Sequence, residues 1–542
     1  MRLHPVLLFT LTLLTSFAHA ETYLVDTSSD DGSAAFQVCD ADASNANCSL
    51  RGAIVRANGQ IGGDTIAFDL PPTDPGFIAA TQHWRIAPIT EFAFITDDLI
   101  VDGYSQPGAV ENTNTPDQGG SNATLKIELR GPGSNSQVPG FYAVNGSARL
   151  TVRGLAINRF KYNLQLTTAG PHRVEGCFIG TDITGMQAAD TTNSTSVGIR
   201  LEGELIAGDG TPATRNVISG NTYIGIWDIN NSGTMTIQGN LIGTNAAGTA
   251  ALSGQDYGIY ATSTGRGALI GGSDPGDRNI ISGNEFGAIN IYPQINGANP
   301  QPYRIQGNFI GTDVSGTMAI GNGLNPQSPS QTLSTIVAFS LGSCGLQVGG
   351  EGPGEGNLIA HSGKAGVLIE NCDRAAIIGN RFVGNRDIAI DLSTGNPDRG
   401  ATPNDPGDPD SNPPVGGGAF LSGNRLQNHP EIVSLVRNGG NVTLTYRVDT
   451  DVANATYPLR IDIARGRAGQ AEFRLQGAKL VEAGIRRRVG PVGREWIFVA
   501  GAEYVTMRIR GIVRQFEFRC FRVRVRRRNG GDENLRHIPV LP

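Results

Sequence analysis

The sequence predicts an all-β protein whose main body is a parallel β-helix solenoid, with a short capping helix near its start and a small β-sandwich-like module at its end. Three observations predict this fold. Nearly identical phrases recur along the chain, short apolar bursts alternate at period two, and glycine accounts for 74 of 542 residues. Repeats of this kind are typical of solenoids, and glycine without a collagen period indicates many tight turns between short strands.

The first twenty residues have the pattern of a secretory signal. Arg2 supplies the positive start, residues 6–17 are mostly apolar, and Ala18–Ala20 form an A-x-A cleavage site. The run is shorter than the roughly 20 apolar residues that a transmembrane helix needs. No later segment is long and apolar enough to span a bilayer. We therefore expect an exported chain, secreted or at the cell surface, that begins at Glu21.

Four of the six cysteines are candidates for disulfides, which export would permit. Cys39 and Cys48 are close together in a polar loop and form the first predicted pair. Cys344 and Cys372 could meet across neighbouring turns of a solenoid, or could be two small buried thiols. No C-x-x-C motif occurs, so zinc and thioredoxin-like sites have little support.

One repeated phrase reads "GCFIGTDITGMQA" from Gly176, "GNLIGTNAAGTAA" from Gly239 and "GNFIGTDVSGTMA" from Gly307. A second motif, N-x-I-S-G-N, interleaves with it. The asparagines that begin successive motifs are 24, 39, 29, 49 and 23 residues apart, which indicates a regular coil alternating with an enlarged one. Strand bursts such as "GIWDI" at 225–229 are separated by Gly/Asn corners, where Asn240 and Asn308 could stack as amide ladders.

The repeated phrase carries an acidic residue that could be chemical or structural. Asp182 and Asp313 correspond to Asn245 in the second copy. Asn cannot act as a general base and is a poorer ligand for a hard cation, but it shares with Asp the ability to bond its own backbone in a turn. We therefore predict that all three residues form turns.

The segment "CSLRGAIVRANGQ" at 48–60 predicts an amphipathic helix. Ser49 suits the N-cap and Gly59 the end of the helix. One face combines four apolar residues: Leu50, Ala53, Ile54 and Ala57. Such a helix, tied by the Cys39–Cys48 disulfide, could lie over the open end of the first coil.

This segment resembles the CSLREA motif of bacterial exported proteins, in which the motif follows the signal and precedes right-handed parallel β-helix repeats. The G-N-x-I-G-T-D-x-x-G-T and N-x-I-S-G-N phrases are also typical of that family. The resemblance covers roughly residues 21–460 and implies the pectin-lyase-like β-helix architecture. It does not imply a settled activity.

The chain departs from that family at Gly52, where the family has Glu. With Ser49 as the N-cap, this is the position at which Glu would complete a capping box. Glycine also carries a helix penalty of about 1 kcal/mol. We expect from the sequence that Gly52→Glu raises the melting temperature of the N-terminal region.

Two further acidic groups are candidate sites. Asp405, Asp408 and Asp410 lie in a Pro/Asp/Asn-rich stretch and could gather around Ca²⁺, although such stretches are more often linkers and no EF-hand or nonapeptide spacing occurs. Asp387 and Asp391 share one face of a predicted strand, but residues four apart are about 13 Å apart, too far for a glycosidase pair. The alternative to a catalytic pair is that Asp387 and Asp391 simply lie on a solvent-exposed face of the strand. No other cofactor is predicted.

Aromatic residues concentrate in the middle coils. If they point outward they would form a stacking surface for sugar rings, and if inward they would fill the core. The candidates for carbohydrate contact are Tyr223, Trp227, Tyr257, Tyr260, Tyr292 and Tyr303, chiefly Trp227, Tyr257, Tyr260 and Tyr292. The histidines form no recognisable triad or metal pair.

The C-terminal region changes in character. Residues 431–448 predict a hairpin about an Asn-Gly-Gly turn. From 458 to 542 the chain has no serine and eighteen arginines, whereas the whole protein has a net charge of −6. The basic tail could grip an anionic polymer. A shifted reading frame of a GC-rich gene is the hypothesis we favour.

These observations divide the chain into a signal peptide (1–20), an N-terminal cap with first strands (21–100), β-helix repeats (101–395), a linker (396–426) and a C-terminal β-rich module (427–542). The leading interpretation is a non-enzymatic, adhesin-like or glycan-binding protein, and we expect a monomer without a nucleic-acid partner. The alternative is a polysaccharide lyase or glycoside hydrolase acting on an acidic polysaccharide, which rests on fold analogy.

Overall fold

The protein is described here from a computed structural model. The described residues are 20–40, 42, 44–144, 146, 148–190, 195–229, 233–262, 267–292, 302–324, 334–373, 375–393, 431–438, 441–447, 456–467, 470–481, 505–510, 521–526 and 532–534. The predicted signal peptide up to residue 19, the predicted linker at 396–426 and the candidate calcium ligands Asp405, Asp408 and Asp410 lie outside them.

The chain winds through three parallel sheets, A, B and C, and this confirms the predicted all-β parallel β-helix solenoid. From residue 99 to residue 393 it passes from sheet A to sheet C to sheet B and back to sheet A, and nine such coils are described. Each strand pairs in parallel with its equivalents in the coils before and after, so no coil buries its apolar face alone.

Sheet A has eleven strands: Thr22–Val25, Asp64–Phe68, Leu99–Asp102, Leu150–Arg153, His172–Glu175, Leu205–Ala207, Met235–Ile237, Ala268–Gly271, Tyr303–Gln306, Leu346–Gly349 and Ala376–Ile378. Sheet B has nine: Phe141–Ala143, Tyr162–Leu166, Val197–Leu201, Ile224–Asp228, Tyr257–Ala261, Gly287–Ile291, Ile336–Ser343, Val367–Asp373 and Ile390–Ser393. Sheet C has ten parallel strands: His83–Ile86, Ile127–Arg130, Leu155–Asn158, Phe178–Ile179, Val217–Ile218, Leu241–Ile242, Ile280–Ile281, Phe309–Ile310, Leu358–Ala360 and Arg381–Val383. Phe77–Ile78 adds an antiparallel edge to sheet C.

The interior is filled by columns of aliphatic side chains that repeat from coil to coil. One column on sheet B consists of Ile199, Ile226, Ile259, Ile289 and Ile336, all fully buried. Burying one such side chain stabilises the fold by roughly 1.5–3 kcal/mol. The alternation of these residues with outward ones is the period-two pattern seen in the sequence.

Asparagine ladders run along the corners between the sheets. In the first, the side-chain amide nitrogen of each residue donates to the amide oxygen of the next at 2.8–3.1 Å, through Asn216, Asn240, Asn279, Asn308, Asn357 and Asn380. The backbone N–H of Cys177 donates to Asn216, so a buried thiol begins this ladder. A second ladder joins Asn163, Asn221, Gln255, Asn284 and Asn322. The buried amides of the two ladders are thus paired, as most buried polar groups are.

The glycine of each I-G-T corner is required by the close approach of the coils. Gly243 has φ +88°, and a Cβ there would lie 2.4 Å from the carbonyl oxygen of Ser282 in the next coil. A side chain at this position would therefore meet both backbone strain and a steric clash.

The predicted capping helix spans Leu50–Asn58, and its predicted apolar face is buried. The hydroxyl of Ser49 accepts a hydrogen bond from the N–H of Gly52 at 2.9 Å. The expectation for Gly52→Glu is wrong, however, because a Cβ at Gly52 would lie 1.9 Å from the carbonyl oxygen of Phe36. Glycine is needed here because the 34–37 loop packs directly on the first helical turn.

Both predicted disulfides are present in the structure. Cys39 is bonded to Cys48, beside the capping helix, and Cys344 is bonded to Cys372 in neighbouring coils. The first disulfide fixes the loop that leads into Ser49. The second links the residue that follows the strand Ile336–Ser343 of sheet B to the equivalent strand of the next coil, Val367–Asp373.

The predicted C-terminal hairpin is formed by strands Glu431–Asn438 and Asn441–Arg447, and Val505–Arg510 joins it as a third strand. Further strands span Thr456–Arg467, Gln470–Val481, Phe521–Arg526 and Asp532–Asn534. Among the described residues, six short 3-10 helices occupy Ala34–Phe36, Gly103–Ser105, Pro116–Gln118, Ser134–Ser136, Pro212–Thr214 and Pro275–Asp277. In the part of the chain described, no helix has the length and apolar character needed to cross a membrane.

Candidate functional site

The repeated acidic residues lie in turns, as the sequence indicates. The side-chain oxygen Oδ1 of Asp182, Asn245 and Asp313 accepts hydrogen bonds from the backbone N–H groups four and five residues later, at 3.0–3.4 Å. Burial acts to raise the pKa of Asp313, but the hydrogen bonds from Met318, Ser315 and Thr317 outweigh it and lower that pKa. Because an amide makes the same backbone contacts as a carboxylate, the position needs an oxygen rather than a charge.

These turns stack on one another and cover the outer face of sheet C. The N–H of Ala246 donates to the carbonyl of Gly185 at 2.8 Å, and the N–H of Val314 donates to that of Gly248 at 3.0 Å. Beneath them an apolar cluster combines outward residues of sheet C with residues of the turns: Ala156, Phe178, Val217, Leu241, Ile280, Ile183 and Ala246. The turns therefore shield this part of the outer face of sheet C from solvent.

The outer face of sheet B carries a continuous surface of aromatic rings. We call it the aromatic ridge and define it as Tyr223, Trp227, Tyr257, Tyr260, Phe286, Tyr292 and Phe339. All seven side chains are half-buried, so each ring is packed and still reaches solvent. The ridge spans four successive strands of sheet B, which corresponds to about 14 Å along the solenoid axis.

Ring contacts connect all members of the ridge. From Trp227 the chain of ring centroids runs through Tyr223 (6.2 Å), Tyr257 (6.2 Å), Tyr260 (5.2 Å), Tyr292 (5.2 Å) and Phe339 (5.8 Å), with Phe286 beside Tyr257 (5.8 Å). The pair Tyr260 and Tyr292 is stacked, with planes 25° apart. Burial and the neighbouring rings raise the pKa of Tyr260 to about 12, so its hydroxyl stays neutral.

The structure brings together five of the six aromatic residues considered for carbohydrate contact and adds Phe286 and Phe339. The sequence-based prediction missed Phe286 and Phe339. A signal for Phe286 exists, because each of the stretches "NTYIGIW", "QDYGIY" and "NEFGAIN" has an aromatic residue shortly before the equivalent inward isoleucine. Tyr303 does not belong to the ridge, because it lies on sheet A with 1% of its surface exposed. Its ring fills the core, which is the alternative that the sequence left open.

Asn290 is the unusual polar residue of this face. It pairs in register with Tyr260 on one side and Val337 on the other, and none of its surface is exposed. Neither its amide oxygen nor its amide nitrogen has a hydrogen-bond partner among the described residues, and the same holds for the indole nitrogen of Trp227. An unsatisfied buried polar group costs about 1–3 kcal/mol, so these groups stand out against the fully bonded ladders.

Two carboxylates flank the ridge. Asp256 directly precedes Tyr257, and Glu285 directly precedes Phe286 in the next coil, where its Oε1 accepts from the N–H of Gly254 at 2.8 Å. Burial, and then the charge of Glu285, raise the pKa of Asp256 from 3.8 to about 7. Sequence patterns did not single out either residue, since their proximity depends on the pairing of coils of unequal length.

Arg200 lies at one end of the ridge, in register with Trp227. Its guanidinium is ion-paired with Glu202 at 2.5 Å and lies over the ring of Tyr162, 5.5 Å from the centroid. Glu370 lies at the other end, in register with Phe339. Of the five charged groups named around the ridge, Asp256, Glu285, Glu202 and Glu370 are acidic and Arg200 is basic.

A second charged cluster lies on the outer face of sheet C near its first strands. Glu128 is buried and accepts hydrogen bonds from His83 (3.2 Å), Arg85 (2.7 Å), Arg130 (3.3 Å) and Asn158 (3.0 Å). Burial acts to raise the pKa of Glu128, but the hydrogen bonds to its carboxylate outweigh the effect of burial and hold this pKa at about 2. Since every oxygen of Glu128 is engaged, we assign this cluster to the stability of the first coils.

The other candidate carboxylates do not form a pair. Asp387 is exposed in a turn, where its Oδ1 accepts from the N–H of Ile388, whereas Asp391 has 1% of its surface exposed. The two residues therefore share no solvated strand face, because the strand begins only at Ile390. Within the described ranges, no group of three or more His, Cys, Asp or Glu side chains could hold a metal ion.

Comparison of the chain with protein-family models, with curated proteins and with solved structures finds no match.

Proposed function

We propose that this protein is an exported β-helix that binds glycans through the aromatic ridge and does not cleave them. The observation that carries the proposal is the outward, half-buried and connected set of seven rings on sheet B. Aromatic rings present an apolar face and a polar edge, and both are suited to a sugar ring. An adhesin-like role at the cell surface or outside the cell fits a long repetitive solenoid that begins after a secretory signal.

The same proposal assigns the chain to the CSLREA-motif proteins. The capping helix at 50–58 lies between the first two strands of sheet A and precedes all the later coils, which agrees with the order that the resemblance implies. Gly52 remains a departure, because the carbonyl of Phe36 occupies the space that a Glu side chain would need. A monomeric state is also part of the proposal.

The turn geometry of Asp182 and Asp313 favours binding over catalysis. Their carboxylates are occupied by backbone N–H groups, and an amide serves equally well at Asn245. A catalytic carboxylate needs a free oxygen within reach of the substrate. The repeated residues therefore support the solenoid, and among the described surfaces we assign ligand recognition to the ridge.

A polysaccharide pull-down with the purified full chain tests the proposal. We expect wild-type protein to sediment with at least one insoluble polysaccharide and the double variant Trp227→Ala/Tyr260→Ala to stay in solution. Tyr142→Ala is the matched control, since Tyr142 lies on the same face of sheet B three strands from Trp227 and packs on Phe94, 4.9 Å away. Retained binding by the double variant would overturn the proposal.

The same samples are assayed for product release from acidic polysaccharides, with and without Ca²⁺. We expect binding without new reducing ends or unsaturated products. Turnover would contradict the proposal and establish the alternative, a polysaccharide lyase or glycoside hydrolase.

A further inference from the structure

We propose that the aromatic ridge recognises a linear glycan without acidic groups, laid along the solenoid axis, and that the amide of Asn290 hydrogen-bonds to it. This inference rests on the proposed function and adds the class of ligand and a residue that determines specificity. Three features of sheet B carry it: the direction of the ring surface, the unpartnered amide and the charges at its border.

The direction follows from the strand register. Trp227 and Tyr260 occupy one outward position in successive strands, and Asn290 follows them in the third. The contacts from Tyr260 to Tyr292 and from Tyr292 to Phe339 continue the surface along the same axis. Strands are about 4.8 Å apart, so a chain of sugar rings parallel to the axis meets a new aromatic position at each coil.

The amide of Asn290 adds both donors and an acceptor to the surface that the rings form. Asn290 has one acceptor oxygen and two donor hydrogens, none of which is used by the described residues. Because Asn290 is fully buried, a sugar hydroxyl reaches it only when a neighbouring half-buried ring, such as that of Tyr260, turns aside. A ligand that pairs with the amide removes the cost of its burial, and a site built to bond a hydroxyl discriminates strongly.

The charges at the border disfavour an acidic ligand. Asp256 and Glu285 lie beside the ridge and Glu370 at one end, whereas the cation at the other end, Arg200, is paired with Glu202. A carboxylate on the sugar would meet this excess of carboxyl groups among the described residues near the rings, and like charges in contact are unfavourable. Uncharged sugars meet no such penalty.

Calorimetric titration with soluble hexasaccharides tests the inference. The uncharged probes are cello-, xylo- and chitohexaose, and the acidic probe is hexagalacturonate. We expect at least one uncharged probe to bind about tenfold more tightly than hexagalacturonate, a difference of about 1.4 kcal/mol. Asn290→Ala should lose about tenfold in affinity for that probe, while Tyr142→Ala should bind as wild type does.

The outcomes separate the inference from the function on which it rests. If hexagalacturonate binds as tightly as the uncharged probes, or if Asn290→Ala binds like wild type, the inference is overturned and glycan binding stands. If neither wild type nor the control variant binds any probe or insoluble polysaccharide, the proposed function itself is overturned. Unchanged thermal unfolding of Asn290→Ala shows that a lost affinity is not a loss of fold.

Discussion

Sheets B and C are formed by the same coils, yet their outer faces differ in kind. The outer face of sheet C is covered by three stacked turns, whose side-chain oxygens are used by backbone N–H groups. The outer face of sheet B keeps seven half-buried rings, an unpartnered amide at Asn290 and a carboxyl at Asp256 with a raised pKa. The repeated turn oxygens on sheet C are engaged by the backbone and serve the fold, whereas on sheet B both ends of one buried amide, that of Asn290, lack a partner among the described residues, and there we expect a ligand.

The largest difference in the free energy of unfolding that we expect is between substitutions of two buried asparagines, Asn279 and Asn290. Asn279 donates to Asn308 and to the carbonyl of Ile237, and it accepts from the amide and the backbone N–H of Asn240. Asn279→Ala leaves several buried groups unpaired and should cost about 3–5 kcal/mol in the free energy of unfolding. Urea denaturation measures this value.

Asn290→Ala is the matched control for that experiment. It removes a buried amide that makes no hydrogen bond with the described residues, so the free energy of unfolding should change by less than about 1 kcal/mol in either direction. Equal losses for the two variants would contradict the distinction between satisfied and unsatisfied amides.

Gly52→Glu should have the next largest effect on the free energy of unfolding, since the N-terminal cap is packed as tightly as the asparagine ladders. The Cβ would lie 1.9 Å from the carbonyl oxygen of Phe36, and we expect a loss of about 3 kcal/mol from overpacking. Differential scanning calorimetry follows the lowered melting temperature. Gly59→Ala is the control, because its nearest atom would be 3.3 Å away and its φ is −85°. A higher melting temperature for Gly52→Glu would restore the capping-box interpretation.

The carboxyl of Asp256 should make stability depend on pH. Its pKa is raised from 3.8 to about 7. Between these pH values the carboxyl is therefore protonated in the folded protein and ionised in the unfolded chain. Stability therefore falls as pH rises from about 4 to about 7, by about 1–2 kcal/mol after allowance for solvent screening. Asp256→Asn should flatten this part of the stability curve. Parallel curves for the two proteins between these pH values would show that the carboxyl is not perturbed.

Substitutions at Asp313 should have the smallest effects. Asp313→Asn should change the free energy of unfolding by less than about 0.5 kcal/mol, because Asn245 makes the same backbone contacts. Asp313→Ala should cost about 1 kcal/mol through the loss of those hydrogen bonds. Chemical denaturation distinguishes the two variants. A large loss for Asp313→Asn would indicate that the charge itself matters.

The repeats made most of the solenoid predictable. Near-identical phrases identified the coil, its corners and the turn function of Asp182, and alternation identified the strands. The outer face of sheet B was less predictable, because successive coils differ by insertions and the register of Tyr260 with Asn290 is set by pairing in three dimensions. The orientation of Tyr303 stayed open for a related reason, since composition does not tell which face of a strand is buried.

Gly52 illustrates a second limit. The sequence shows its position within the helix but not the loop that packs on it, and the clash with Phe36 comes from residues sixteen positions earlier in the chain. Local propensity predicted a gain from Glu, and tertiary packing reverses the sign.

Hydroxyl-radical footprinting of the full chain, with and without a bound glycan, tests the central claim most directly. The account predicts that glycan slows the oxidation of Trp227, Tyr260 and Tyr292 on sheet B. Met186 and Met318, which are 45% and 65% exposed in the turns over sheet C, should oxidise at the same rate in both samples. Protection of the two methionines with unchanged oxidation of the ridge would contradict the account.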